Sequence, residues 1–595
     1  MSQLLEEIRA RKLDRIAAGY AVAAWVVIQA ASIVLPTFNA APWVMQFLII
    51  ASIVGFFVTV AGGWILMPAH PDTSPRTRRI FGVFLIAGVL LAVGLGLFAW
   101  GHSGNTSDLV GDTSAPAGSN SIAVLPFVNM SGDTKQDYFS DGIAEEILND
   151  LSNTPELRVA ARTSSFAFKG RNTDIKQIAR ALNVRGIVEG SVRQVGQRVR
   201  IAAELVDASN GFQIWSESYD RELTDILSLQ ADIAHSITEA VAQHFLGHGV
   251  SATPARPTPQ AIDPEAYKAY LRGQDYFAQR TRESIGRAVA LFAETTKLAP
   301  QYADGFAALA NAQATAALDY QVPDSLPAAI DAVNKALALD PNNPTALKAR
   351  AIAELLQWQW RAAAADLRRM EELHANSASV WHMRAIFFDY MALPQFTGPA
   401  EEKAVQLDPL SYIDRYNLAL YRMLEKRYDE AARISAEAWK LQPAQPDLHV
   451  LNIQIALGQN DLASAERTLA TLVSQAGENS PDTVGARFYI EVAKKDFVSA
   501  RKIVDAVAGS FPASGITATD VGTAYAMTND VSSATKWYRR AYELREPQFP
   551  RVPYANPQLT KLFADPRWKT LRATSEIRDW EAARIEIAQK SRRGK

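Results

Sequence analysis

The sequence predicts a multidomain protein: three transmembrane helices, an α+β domain with a mixed sheet, and an all-α solenoid of stacked helical hairpins. Three observations predict it. The 56 residues between Arg15 and Asp72 hold no Asp, Glu, Lys or Arg. From Ile122 to Leu246, short apolar runs alternate with amphipathic helical stripes. Beyond Pro264, alanines recur on a grid of 34 residues. At 595 residues the chain is long enough for about three or four domains of roughly 150 residues each.

A membrane span needs about 20 consecutive apolar residues. After a cytoplasmic amino terminus (1–15), the transmembrane region (16–100) accommodates three: Ile16–Leu35, Trp43–Met67 and Ile80–Trp100. The first run is too long for a cleaved signal peptide, and two more follow it. Arg9, Arg11, Lys12 and Arg15 precede the first span, and Arg76, Arg78 and Arg79 lie between the second and third. Basic segments stay in the cytoplasm. The expected localisation is therefore the bacterial inner membrane, with residues after about 101 in the periplasm. The absence of cysteine is compatible with export and removes thiolate chemistry. Gly88, Ala92 and Gly96 form a small-residue stripe on the third span. Such a stripe serves either self-association, giving a homo-oligomer, or packing against the other two spans.

A Gly/Ser-rich linker (101–121) leads into the α/β domain (122–246). IAVLPF reads as a buried strand. Ile143, Ile147, Leu148 and Leu151 make a helical stripe, and Ile175, Ile178, Ala179 and Leu182 another. Val199, Ile201, Ala203 and Leu205 alternate with Arg198, Arg200, Ala202 and Glu204, which is a half-exposed antiparallel strand after a turn near Gly196. Ile226, Leu229, Ile233, Ile237, Val241 and Phe245 form the seam of a closing helix.

The stretches SIAVLPFVNMSGD, DYFSDGIAEEILNDLS, LRVAARTSSFAFKG, ALNVRGIVEGSVRQVGQRVRIAAELVDASNG and IWSESYDR occur in that order. This succession resembles the TolB-like amino-terminal domain, itself similar to FlgO and to the periplasmic part of CadC-type regulators. The resemblance covers the domain nearly end to end and implies no enzymatic activity.

A Pro-rich linker (247–263) precedes the helical array (264–546). Ala329, Ala363, Ala431 and Ala465 fall on the 34-residue grid, with Thr397 between them. Ala500 and Ala534 continue it after a one-residue slip, and Ala288 begins it 41 residues before Ala329. Prolines follow at 300, 341, 409 and 443. This is the tetratricopeptide signature: about eight helical hairpins, each with a small residue where its helices press together and a proline after the second. No hairpin buries its own apolar face, so neighbours must stack. The third repeat has His374–Ala375–Asn376 in place of its proline and the fourth has Thr397 for Ala, so looser packing is expected there. NPQLTKLFADPRWKTLR, within 547–595, resembles the cap and tail that close such arrays.

No G-x-x-x-x-G-K-[ST], H-E-x-x-H or G-x-S-x-G motif occurs. His244 and His248 are spaced i, i+4 but have no third ligand nearby, so no metal or cofactor is expected. Gly132, Asp133, Asp137 and Asp141 form a candidate ligand loop. They do not match a calcium-loop spacing, and Asp137 or Ser140 would serve equally as a helix cap. The groove of a repeat array is lined by the first helix of each hairpin. On the grid, Lys348, His382, Asp389 and Tyr416 project there as candidate partner contacts. The net charge of −2 leaves no basic footprint for nucleic acid.

These features predict a non-enzymatic, membrane-anchored periplasmic scaffold that binds protein partners or itself through its repeats. Two alternatives stand beside it. One is a membrane sensor or transducer without its own cytoplasmic effector. The other is a ligand- or nucleotide-binding protein using the Asp133–Asp141 loop.

Overall fold

The computed structural model describes residues 20, 24–25, 27–29, 52 and 56. It also describes 120–593, apart from 134–135, 153, 155–156, 172, 247–261, 323, 444 and 512–515. The chain divides into two units, Met1–Asp108 and Leu109–Lys595. In the first unit the described residues are helical, and the Tyr20 and Phe56 rings meet edge to face at 6.1 Å.

Among the described residues, no helix is long and apolar enough to cross a membrane. This overturns the expected inner-membrane localisation, with its cytoplasmic amino terminus and periplasmic remainder. The described helices bury one face against neighbours and carry charge on the other, which a bilayer core does not accommodate. The three expected spans fall almost wholly outside the described residues, as do Gly88, Ala92 and Gly96. The observed fold is a mixed-sheet domain joined to a mostly helical, tetratricopeptide-type solenoid.

The sheet runs in the order β3 (Arg158–Val159), β1 (Ser121–Val124), β4 (Gly186–Val195), β5 (Arg198–Asp207), β6 (Phe212–Glu222), with β2 (Val128–Asn129) also on β4. β1 is parallel to β3 and β4, whereas β4–β5 and β5–β6 are antiparallel. β1 is buried along its whole length, because both its edges are paired and both faces are covered. The β4–β5 turn holds Gly196 at φ 60°, the left-handed conformation that a tight hairpin turn requires.

One sheet face is covered by α1 (Asp137–Ser152) and α4 (Ile226–Val241). Ile143, Ile147 and Leu151 of the first and Ile226, Leu229, Ile233 and Ile237 of the second pack there. On the other face lies a smaller core. There Ile178 and Leu182 of α3 (Ile175–Leu182) meet Leu125, Phe168 and Ile187. The short helix α2 (Arg162–Phe166) closes that end.

Sixteen helices then form eight antiparallel pairs. The first four are Pro264–Ala278 and Arg282–Leu298 (α5, α6), Ala303–Tyr320 and Ser325–Leu339 (α7, α8), Pro344–Leu356 and Trp360–His374 (α9, α10), and Ala378–Tyr390 and Pro394–Leu407 (α11, α12). The last four are Tyr412–Leu424 and Tyr428–Leu441 (α13, α14), Pro446–Gly458 and Leu462–Ala476 (α15, α16), Pro481–Ala493 and Phe497–Ser510 (α17, α18), and Ala518–Met527 and Val531–Glu543 (α19, α20).

Every grid alanine is fully buried, and Thr397 is 3% exposed. A larger side chain at these points would hold the paired helices apart. A second periodicity lies in the backbone. Trp358, Ala392, Lys426, Asn460, Lys495 and Asn529 all have φ between 51° and 63°. They follow the alanine grid, including its one-residue slip. Each is the left-handed residue that ends a first helix. The next residue's N–H then bonds five residues back, as from Leu393 to Phe388 (2.9 Å) and from Arg427 to Arg422 (2.9 Å).

The third and fourth repeats are not looser than the rest. Trp360, Met370, Phe387, Phe388 and Met391 are all buried there, and Thr397 Oγ1 donates to Leu393 O at 3.1 Å.

Two long-range contacts fold the array onto the rest of its unit. Leu271 of α5 lies so close to Gly142 of α1 that a Cβ on the glycine would stand 2.5 Å from Leu271 Cδ2. The Tyr270 hydroxyl donates to Glu146 Oε1 at 3.0 Å. Farther along, Ser164 N donates to Asp408 Oδ1 at 3.1 Å, and Leu410 N donates to Ser164 Oγ at 2.7 Å. At the other end, the chain continues through Val552–Ala555, Thr560–Ala564 and Pro566–Arg572 (α21 to α23) into α24 (Ser575–Arg593). Trp580 of α24 is fully buried, and Arg361 of α10 binds Asp579 and Glu586, both at 2.8 Å. The tail thus returns to the middle of the array instead of only capping its last repeat.

Candidate functional site in the groove of the helical array

The first helices of successive hairpins stack side by side, so one residue from each forms a strip along the groove. Lys348 (α9), His382 (α11) and Tyr416 (α13) hold equivalent places on the 34-residue grid, and all three are partly exposed. Preceding repeats extend the strip with Arg280 and Asp319, paired at 3.8 Å. Burial lowers the pKa of the Lys348 ammonium to about 8, and Arg280 adds to this, against Asp319 and Asp414. Burial also raises the Asp319 carboxyl, against Arg280 and Lys348.

His382 is the centre of a three-residue cluster. Its Nδ1 lies 2.9 Å from Asp414 Oδ1 and 3.1 Å from Glu401 Oε1. Burial opposes a charge on the imidazole, but Glu401 and Asp414 outweigh it and raise the His382 pKa to about 10. Burial raises that of Glu401 to about 7, with His382 opposing. Glu401 is fully buried, and its Oε2 makes no hydrogen bond of good geometry among the described residues.

Of the predicted groove residues, Asp389 is the one placed differently. Asp389, two turns beyond His382 on α11, is paired with Arg551 from the segment after α20. Tyr416 stacks on Tyr412 at 6.1 Å, and burial raises its hydroxyl pKa. A cavity of about 1060 Å³ lies where α7 and α8 face α20, with Asp319, Tyr390, Lys536, Trp537, Arg540 and Arg545 in its wall.

Sequence reasoning missed Glu401 and Asp414, although a signal was present. One turn after the grid residue, the other second helices carry Phe292, Val333, Leu367, Ser435, Leu469, Val504 and Tyr538. Glu401 is the carboxylate in this series. Asp414 likewise stands where neighbouring repeats have Ala346, Val380 and Leu448, all buried.

The candidate ligand loop sits at the start of α1. Gly132 is exposed at φ 79°. Asn129 Nδ2 donates to Asp133 O and to Asp137 Oδ1, both at 2.8 Å. Asp141 is paired with Lys169, and burial raises its pKa despite that partner. Asp137 and Asp141 line a cleft of about 760 Å³ together with Lys169, Arg171, Glu189 and Glu204; Asp133 does not. His244 lies 3.7 Å from Asp207, and His248 falls outside the described residues.

The stacked hairpins make a helical solenoid of tetratricopeptide type. Residues 422–482 match the tetratricopeptide repeat family, and residues 118–236 match the second domain of HilA/YgeH-like transcriptional regulators. Among curated proteins, putative adenylate cyclase 3 of Rhizobium meliloti (strain 1021) is 36% identical over 244 residues, 40% of this chain and 41% of that protein. The chain thus spans less than half the length of the curated relative it matches. Among solved structures, PilF of Pseudomonas aeruginosa is 20% identical, covering 37% of this chain and 95% of that one, with a TM-score of 0.29. Human IFIT1 in a dimer with m7Gppp-AAAA is 14% identical, covering 54% and 81%, with a TM-score of 0.36.

Proposed function

We propose that the chain is a non-enzymatic scaffold that holds an extended segment of a partner protein in the groove of its repeats. The observation that carries this reading is the strip of opposed charges from Arg280 through Asp319 and Lys348 to His382 and Asp414, beside a cavity large enough for several side chains. Repeat arrays present such concave walls as binding surfaces. Charges on both sides of the groove fix a partner's register more than they add affinity.

The test uses photo-crosslinking residues in the intact chain, at Lys348 and Tyr416 in the groove and at an exposed outer position such as Arg467. Crosslinks to one defined protein from the groove positions alone, weakened by Asp319→Ala, are expected. Equal yields from the groove and the outer face would sink the reading.

A second reading is a regulatory module for a separate output protein. It is favoured by the names of two matches, a transcriptional regulator and a putative adenylate cyclase. Exchanging the matched region of that cyclase for this chain's own should alter the control of cyclase activity. A cyclase indifferent to both exchange and removal of the region would count against it.

A further inference from the structure

We propose that His382, Glu401 and Asp414 form a binding site for a first-row divalent cation, zinc foremost, which pins three successive helices of the array. This goes beyond the groove reading and needs no protein partner. One ligand comes from each of α11, α12 and α13, and the three ligand atoms all lie within 4.8 Å of one another. The N–O separations of 2.9 and 3.1 Å fall a few tenths of an ångström short of the edge of a tetrahedron around zinc, about 3.4 Å for bonds of about 2.0–2.2 Å. Opening the cluster by a few tenths of an ångström would admit the ion.

Three observations point to a ligand rather than to an ordinary ion pair. Both carboxylates occupy seam positions that are apolar or small in the other repeats. Two carboxylates and an imidazole share a packed interior, where ionisable groups are costly unless paired or ligating. A dication held by all three would balance the two carboxylates. Finally, Glu401 Oε2 is buried without a hydrogen bond of good geometry among the described residues, and Asn417 is the polar side chain outside the cluster that acts on this carboxylate. Asn417, one turn past Asp414, lies near enough to Glu401 to favour its charged form, a supporting role typical around metal ligands.

The chemistry selects the ion class. One imidazole and two carboxylates suit zinc and its first-row neighbours, whereas calcium takes six to eight oxygens. The His382 side chain is 19% exposed, so the cluster is reachable from solvent. Lys348 is the cationic group that opposes the site, through Asp414.

The test is calorimetric titration of Zn²⁺ into the chelator-treated full chain, with the visible spectrum of its Co²⁺ form. One bound equivalent and a four-coordinate cobalt band are expected. Glu401→Gln and Asp414→Asn should each weaken binding by at least the roughly 10–100-fold that loss of even a supporting group costs. Lys348→Met should tighten it. No uptake, or equal affinity across all variants, would overturn the proposal; an ion held at the exposed His235–Glu239 pair would give the second result. Should the Gln and Asn variants not fold, the cobalt spectrum and Lys348→Met decide alone.

Discussion

In the seventh and eighth hairpins, the position one turn after the grid alanine holds Val504 and Tyr538. In the fourth it holds Glu401. The leucine–aspartate–proline step after a second helix shows the same contrast. Asp340 after the second hairpin is partly exposed, whereas Asp408 after the fourth is buried beneath Ser164 of the sheet domain. Asn376, standing near where a proline would end the third repeat, donates to Leu157 O at 3.2 Å. Regular repeats therefore satisfy only their immediate neighbours. In the irregular third and fourth repeats, Asn376 and Asp408 meet groups distant in sequence, whereas Glu401 is matched by His382 and Asp414 of the adjoining helices.

The strongest way to break this comparison is Trp580→Ala. Deleting this buried ring should cost about 3–5 kcal/mol. It should also free α24 to proteolysis and hydrogen exchange, with α10 and α11 affected more than α17 to α20. Uniform loss of protection across the array would mean that the irregular repeats are not where the tail is held.

The pH dependence sharpens the comparison at Asp408. Burial raises its pKa from the ordinary 3.8 to about 7, against hydrogen bonds from Ser164. Between those values the folded chain keeps a proton that the unfolded chain has lost. Stability should therefore fall as pH rises from about 4 to about 7 and level off above, by about 1–3 kcal/mol in all. Asp408→Asn should flatten that part of a urea-melt series. The corresponding change at Asp340 should leave it unaltered.

A comparable effect is expected in a regular repeat. Ala534→Leu should destabilise by about 1–3 kcal/mol through overpacking. Thr397→Ala should cost less than about 1 kcal/mol, because its hydroxyl bonds only to its own helix. Equal costs in denaturation would show that the Thr397 side chain carries more than a bond within its own helix. The smallest effect is at the inter-helix turns. Lys426→Gly should stabilise by about 0.5–1 kcal/mol by relieving a left-handed backbone, readable as a small rise in melting temperature.

The array and the mixed sheet were legible because both rest on short-range periodicity. A small residue at each helix crossing, and an aliphatic residue at each turn of α4, repeat in the chain as they do in space. The left-handed turns were not legible: Trp, Ala, Lys and Asn fill them in turn, so that period exists only in the backbone. Nor were the closures. Gly142 and Leu271, Ser164 and Asp408, and Arg361 and Asp579 are each locally unremarkable, and only the folded chain joins them. Of the groove candidates, Lys348 and His382 could be located from the grid. The groups that set their charge, Glu401 and Asp414, could have been found only by asking why a seam position was acidic.

A stack of helical hairpins with free ends behaves as a spring, because small rotations between neighbours add up along its length. Here α24 is joined to α10 by the Arg361 ion pairs and to the end of α11 by Arg584, which donates to Ala392 O at 3.1 Å, so those rotations are restrained between the attachment points. The curvature of that segment becomes a constant of the molecule. A partner entering there meets a gauge of set bore and must match it, whereas α5 to α8, outside the fastening, keep the compliance of an open coil.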